Sequence, residues 1–145
     1  MNMPIVNPQA NTQSDPVYEG EKVSSILVID DDQALRTVLC NVLKDAGYNA
    51  VGASDGLMGL KQCAENKYDL VVSDMLMPNC DGVEFIVALR KQNPAAAIIA
   101  ISGGGRIGAE TYLRIAANLG VKAVLNKPFP MSTFIKTVNE VFERK

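Results

Sequence analysis

The sequence predicts an α/β fold, a doubly wound (βα)5 arrangement whose parallel sheet takes the order 2-1-3-4-5, and three observations carry that expectation. Short β-rich apolar runs alternate along the chain with longer segments of helical period. The runs at 25–29, 69–73 and 97–101 are nearly continuous in apolar residues, as strands covered on both faces are. Several runs end in a polar or charged residue, and the carboxyl ends of strands are where open parallel sheets bind ligands.

Residues 1–23 stand apart. Pro4, Pro8 and Pro16 interrupt a stretch rich in Asn, Gln and Ser with no sustained period, which reads as a disordered arm ahead of one domain spanning 24–145. The first strand is Ser25 to Ile29. Leu35, Val38, Leu39, Val42, Leu43 and Ala46 then follow i, i+3, i+4, i+7 spacing, and Gly47 supplies a helix stop. A weak strand at 49–53 is followed by a helix from Asp55 to Asn66 and a strand from Asp69 to Ser73. Asp81-Gly82-Val83-Glu84 has the acid-x-x-Glu spacing of a helix N-terminus, and that helix should close by Asn93, ahead of Pro94. The fourth strand is Ala97 to Ile101. The turn Gly103–Gly105 leads to a helix ending near Leu119 with Gly120 as its cap, then to a strand at 123–125 and a last helix from about Pro130 to Phe142. Right-handed crossovers between parallel strands place these helices on both faces of the sheet.

Composition narrows the function classes. The chain has 145 residues, room for one domain with a real core, and a formal charge of -2. Beyond residue 23 the acidic and basic residues balance at 13 each, so there is no basic footprint and no nucleic-acid partner is expected. Cys40, Cys63 and Cys80 show no CxxC spacing, and the chain has no histidine. These thiols read as small apolar groups in a reducing cytoplasm, and nothing basic beside Cys80 would lower its pKa. No run is long enough to span a membrane, and the N-terminus lacks a signal-peptide pattern, so no membrane partner is expected.

The chemistry lies at the strand ends. Asp30 and Asp31 end the first strand, Asp74 the third, Ser102 the fourth, and Lys127 follows the fifth. In a sheet of order 2-1-3-4-5 the first and third strands are neighbours at the topological switch point. Three carboxylates gathered there resist ionisation unless a cation intervenes. Mg2+ takes oxygen ligands, usually one or two carboxylates plus a phosphate, which suits three aspartates of which one reacts. Three carboxylates, one Mg2+ and Lys127 sum to zero formal charge, leaving the site able to accept a phosphoryl group. An acyl phosphate on Asp74 is then plausible chemistry, with the cation and the Lys127 ammonium stabilising charge on the transferring oxygens. Taken singly, each residue has a plainer reading as a cap, turn or surface group, and Asp32 is assigned as the cap of the first helix. It is the joint placement on one sheet edge that points to a site.

At these residues the chain resembles a response-regulator receiver domain of two-component signalling, of the stand-alone single-domain type. The matching motifs are Ile26-Leu27-Val28-Ile29-Asp30-Asp31-Asp32, Asp74-Met75-Leu76-Met77-Pro78-Asn79-Cys80-Asp81-Gly82, Ile101-Ser102-Gly103 and Lys127-Pro128-Phe129, across about residues 24–145. The resemblance implies a flavodoxin-like fold and a phosphoryl group accepted on Asp74 from a histidine kinase or histidine phosphotransfer protein. It makes Asp31 the direct Mg2+ ligand, Asp30 a ligand through water, and the Met75 backbone carbonyl the third protein ligand. Ser102 becomes the hydroxyl that moves toward the phosphoryl group and Lys127 the cation that pairs with it. A cis peptide between Lys127 and Pro128 is also implied.

Three places depart from or qualify that pattern. Val124 stands where receivers often carry Tyr or Phe, Leu76 puts an apolar group two residues past Asp74, and the Ser102–Arg106 segment is glycine-rich and somewhat long. With the aromatic missing, the glycine-rich loop becomes the candidate for rearrangement. With the last helix ending the sequence, the expectation is a single-domain regulator whose output is contact with a downstream protein, through the helix ending near Leu119, the fifth strand and the last helix. It is not expected to be a turnover enzyme, beyond its own phosphorylation and hydrolysis. The rivals are a pseudo-receiver that signals without phosphate, an aspartate-nucleophile phosphatase, which needs a second acid where Leu76 stands, and a flavodoxin-like cofactor carrier, whose phosphate the acidic first loop would repel.

Overall fold

The computed structural model describes residues 23–75, 82–103, 114 and 117–143. The elements follow the predicted alternation: β1 (Ser25–Ile29), α1 (Gln33–Asp45), β2 (Asn49–Ala53), α2 (Gly56–Glu65), β3 (Leu70–Asp74), α3 (Gly82–Gln92), β4 (Ile98–Ser102), β5 (Ala123–Asn126) and α4 (Met131–Glu143). The five strands form one parallel sheet of order β2-β1-β3-β4-β5. The arm at residues 1–22, the segment 76–81 that holds Leu76 and Cys80, and most of the glycine-rich loop and the helix after it lie outside the described residues. So does the acid at 81 expected to open α3.

Alternation along each strand divides the core into two layers. Leu27, Ile29, Val71, Ile98 and Ala100 face α2 and α3 and bury Phe85, Ile86 and Leu89. Ile26, Val28, Val72, Ile99 and Ile101 face the other way, onto Leu39 and Leu43 of α1 and Phe134 and Val138 of α4. With apolar side chains taken from both faces, the central strands β3 and β4 are buried at every position, as their apolar runs predict. The edge strands β2 and β5 are not.

Local signals set the helix ends. Asp32 caps α1 by accepting the Leu35 N–H at 3.1 Å, and Asp55 caps α2 through the Met58 N–H at 2.9 Å. Gly47 turns the chain out of α1 at φ +99°, with its N–H on the Lys44 carbonyl and that of Tyr48 on Leu43, both at 3.0 Å. Two expectations need adjustment. Val38, placed on the apolar face of the first helix, is 44% exposed, whereas Leu39, Cys40 and Leu43 are buried and Leu35 and Val42 pack partly against the same layer. Strands β3, β4 and β5 each end one residue later than hydrophobicity suggests, because the ladder continues through polar residues: Asp74 pairs with Ile101, and Ser102 with Asn126. The Asp74 and Ser102 side chains therefore sit on the sheet itself.

Candidate phosphoryl and metal site

The carboxyl edge of the sheet gathers Asp30 and Asp31 after β1, Asp74 at the end of β3, Ser102 at the end of β4, and Lys127 just past β5. Asp30 and Ser73 are fully buried, Asp74 is 3% exposed and Ser102 2%, while Asp31 is exposed. One carboxylate oxygen from each of Asp30, Asp31 and Asp74 lies within 4.8 Å of the other two. Lys127 Nζ stands 3.2 Å from Asp30 Oδ2 and 3.2 Å from Asp74 Oδ2, as an ion pair to each. Burial pulls the Lys127 ammonium toward neutrality, but the Asp74 and Asp30 charges and their hydrogen bonds more than offset it and hold its pKa above the ordinary lysine value. Lys127 is therefore a cation across the neutral range.

The backbone fixes each group. Asp30 is held at its N–H by the Ala53 carbonyl at 3.2 Å, while its Oδ1 accepts the Asp32 N–H at 2.9 Å. Its Oδ2, buried beside Lys127, receives no hydrogen bond of good geometry. The Lys127–Pro128 peptide is cis, and the Lys127 N–H donates to the Ser102 carbonyl at 2.9 Å, which ties the lysine to the end of β4. The Met75 N–H donates to the Ile101 carbonyl at 2.8 Å, and the Met75 carbonyl accepts the Gly82 N–H at 3.1 Å, leaving one lone pair on that oxygen.

This donor set fits a hard divalent cation. All three side chains offer oxygen atoms, three carboxylates against one lysine leave an excess of negative charge, and the buried Asp30 Oδ2 has the Lys127 ion pair but no hydrogen bond of good geometry. Carboxylates so close together, two of them buried, are stabilised by a cation between them. Exposure of Asp31 keeps one side of the cluster open to water.

Two further residues shape the site though neither was singled out as a site residue in the sequence. Arg36, in the first turn of α1, donates from Nη1 to the Asp30 carbonyl at 2.6 Å. Gly82 lies against the other flank, where a Cβ would fall 2.5 Å from Met75 Cα and 3.0 Å from the Asp74 carbonyl. The glycine appeared in the sequence as part of a helix start and as the last residue of the Asp74–Gly82 motif, but with no role of its own. A cation in the first turn of a helix, against the macrodipole, was the one signal that could have flagged Arg36.

The remaining candidates behave as core. Cys40 is buried, and burial raises its thiol pKa, partly countered by Lys44 and Arg36; burial likewise raises that of half-buried Cys63. Val124 packs partly buried against the α2–α3 layer. No helix among the described residues is long and apolar enough to cross a membrane.

Comparison with known proteins agrees with this architecture. Residues 26–139 match the response regulator receiver domain. The chain is 35% identical over 127 residues to a probable chemotaxis protein CheY of Rhizobium etli, covering 84% of this chain and 94% of that one. A solved receiver domain from Clostridium thermocellum superimposes with a TM-score of 0.77 at 27% identity, over 84% of this chain and 96% of the other. The response regulator TrrA of Thermotoga maritima, solved in complex with Mg2+ and BeF, gives 0.71 at 26% identity, over 82% and 99%. By the match over residues 26–139, the chain belongs to the response regulator receiver domain family of two-component signalling.

Proposed function

We propose that this receiver accepts a phosphoryl group on Asp74 from the phosphohistidine of a histidine kinase or histidine phosphotransfer protein, and that its output is contact with a downstream protein. The observation that carries the reading is the Asp74 carboxylate itself: 3% exposed, 3.2 Å from Lys127 Nζ and clustered with Asp30 and Asp31. In transfer, an Asp74 oxygen attacks phosphorus; the O–P bond forms as the N–P bond breaks, and the imidazole nitrogen keeps the electron pair and takes a proton. Asp31 directly, Asp30 through water and the Met75 carbonyl would hold Mg2+, which when bound supplies charge stabilisation for the phosphoryl oxygens. Lys127 contributes a positive charge of its own, 3.2 Å from Asp74 Oδ2. Its ion pairs with Asp30 and Asp74 hold the ammonium in place before any phosphoryl group arrives.

Ser102 and Lys127 supply the differential contacts that favour one of two pre-existing states once the phosphoryl group is in place. Ser102 is suited to this by its position on the strand next to Asp74 and by its backbone link to Lys127. The acceptor unit spans 24–145, with 1–23 as a separate arm, and the setting is the cytoplasm.

The test is incubation of the full chain with acetyl phosphate and Mg2+, followed by intact mass. One phosphoryl group is expected on the wild type and none on Asp74→Ala. Acceptance by Asp74→Ala would overturn the assignment. If beryllofluoride with Mg2+ left the wild-type spectrum unchanged, the phosphate-independent pseudo-receiver would take its place.

A further inference from the structure

Arg36 is in an unfavourable place for a cation. It lies in the first turn of α1, at the positive end of the helix macrodipole, where an acidic residue would be stabilised instead. It is nevertheless half-buried and turned back over the helix start, its Nη1 donating to the Asp30 carbonyl at 2.6 Å. That carbonyl belongs to the peptide joining Asp30 to Asp31. The Asp30 N–H is already held by Ala53 and its Oδ1 by the Asp32 N–H. The guanidinium is thus the contact that fixes the plane of the Asp30–Asp31 peptide, and with it the direction in which the Asp31 Cα–Cβ bond leaves the chain. Asp31 is exposed, so packing does not direct its carboxylate.

A second, independent observation concerns Gly52. Glycine weakens a strand, yet one stands inside β2, the edge strand next to β1. A Cβ there would fall 2.9 Å from Arg36 Cδ, 3.1 Å from Cγ and 3.3 Å from Nε. The missing side chain leaves the space in which the arginine stem lies against the edge strand. Because the bond ends on a backbone oxygen, the carboxylate oxygens stay available to a cation.

We propose that Arg36, admitted against β2 by Gly52, is a positioning residue for the divalent cation, fixing the Asp30–Asp31 peptide so that Asp31 meets the ion from a set direction. The inference rests on the Mg2+ reading of the acidic cluster. Residues that orient metal ligands from behind typically alter metal affinity by 10–100-fold, and loss of this guanidinium should weaken Mg2+ binding by about tenfold.

The experiment titrates Mg2+ alone into the full chain by calorimetry, with thermal melts recorded in the absence of the ion. Variants are Arg36→Met, which keeps the stem and removes the donor, Arg36→Lys, Gly52→Ala, the Arg36→Met/Gly52→Ala double variant and Asp31→Asn. The expected pattern is a Kd about tenfold higher in Arg36→Met, partial recovery in Arg36→Lys, and a comparable loss in Gly52→Ala that adds little on top of Arg36→Met. Gly52→Ala displaces only a flexible stem, so it reports on positioning even where Arg36→Met folds poorly. A wild-type Kd in Arg36→Met beside lost binding in Asp31→Asn would overturn this proposal and leave the metal reading standing, as would fully additive effects in the double variant. Absence of Mg2+ binding by the wild type would remove both.

Discussion

The two ends of the one sheet treat polar groups in opposite ways. At the amino edge every named donor has an acceptor: the Ser25 N–H meets Asp69 Oδ2 and the Asp69 N–H meets the Ser25 carbonyl, each at 2.7 Å. There the Arg90 guanidinium bonds the carbonyls of Leu119 at 3.2 Å, Gly120 at 3.0 Å, Pro94 at 3.3 Å and Ala96, joining α3 to the segments entering β4 and β5. At the carboxyl edge one lysine pairs with two of three clustered carboxylates, and the buried Asp30 Oδ2 has that ion pair but no hydrogen bond of good geometry. Concavity does not separate the ends, since a cavity of about 500 Å³ opens at the amino edge between Cys63, Tyr68, Asp69 and Gln92. What separates them is whether the polar groups satisfy one another. A closed network stabilises the fold, whereas an open, like-charged one is poised to take a cation and a phosphoryl group.

The contrast predicts that substitutions at the carboxyl edge cost chemistry and those at the amino edge cost stability. The largest effect is expected from Lys127→Met, which should slow acetyl-phosphate labelling of Asp74 by about 100-fold, the usual consequence of removing one preorganised donor from a transferring group. An unchanged labelling rate would place the positive charge outside the reaction. Since Lys127 titrates higher in the folded chain than in the unfolded one, its ion pairs contribute fully below the ordinary lysine value and fade only as pH rises through the folded value. Any change in labelling between pH 6 and 9 therefore has another origin. Next in size is Arg90→Met, which strips charged donors from four carbonyls and should cost about 2–3 kcal/mol in urea unfolding. Its Mg2+ affinity should stay within about twofold of wild type, because Arg90 bonds the carbonyls of Pro94, Ala96, Leu119 and Gly120, at the opposite edge from the acidic cluster. A parallel loss of Mg2+ binding would show the two edges to be coupled.

Much of the carboxyl edge was legible in the sequence because its residues are punctuation: each follows an apolar run, and strand ends in a parallel sheet share one side. Asp32 was legible as a cap from its place before a periodic segment. The one-residue extension of β3, β4 and β5 was not, since an Asp or Ser can continue a ladder that hydrophobicity has already left. Arg36 against Gly52, Gly82 against Met75, and Arg90 on Leu119 and Gly120 were also hidden. Each joins residues far apart in the chain through a stem, a missing Cβ or a backbone oxygen, none of which periodicity records. The expectations for Leu76 and for Gly104 and Gly105 fall outside the described residues.

Smaller effects sharpen the comparison. Mg2+ at tenfold above its Kd should stabilise the wild type by about 1.4 kcal/mol through mass action alone, and Asp31→Ala should abolish that increment. The finest test sets two exposed aspartates against each other. Asp69 and Asp31 are both surface residues bordering the sheet, one at each edge. Asp69→Ala removes the acceptor of the Ser25 N–H and should cost about 1 kcal/mol with or without Mg2+, while labelling of Asp74 proceeds at the wild-type rate. On the proposed reading Asp31→Ala removes a ligand rather than a partner, so without Mg2+ its stability should stay within about 0.5 kcal/mol of wild type, while labelling in Mg2+ falls. Urea melts with and without Mg2+ on this pair read the contrast directly. Equal losses in both variants would mean that the carboxyl edge is held together by its own carboxylates, and that the difference between the two edges is not one of satisfied against unsatisfied charge.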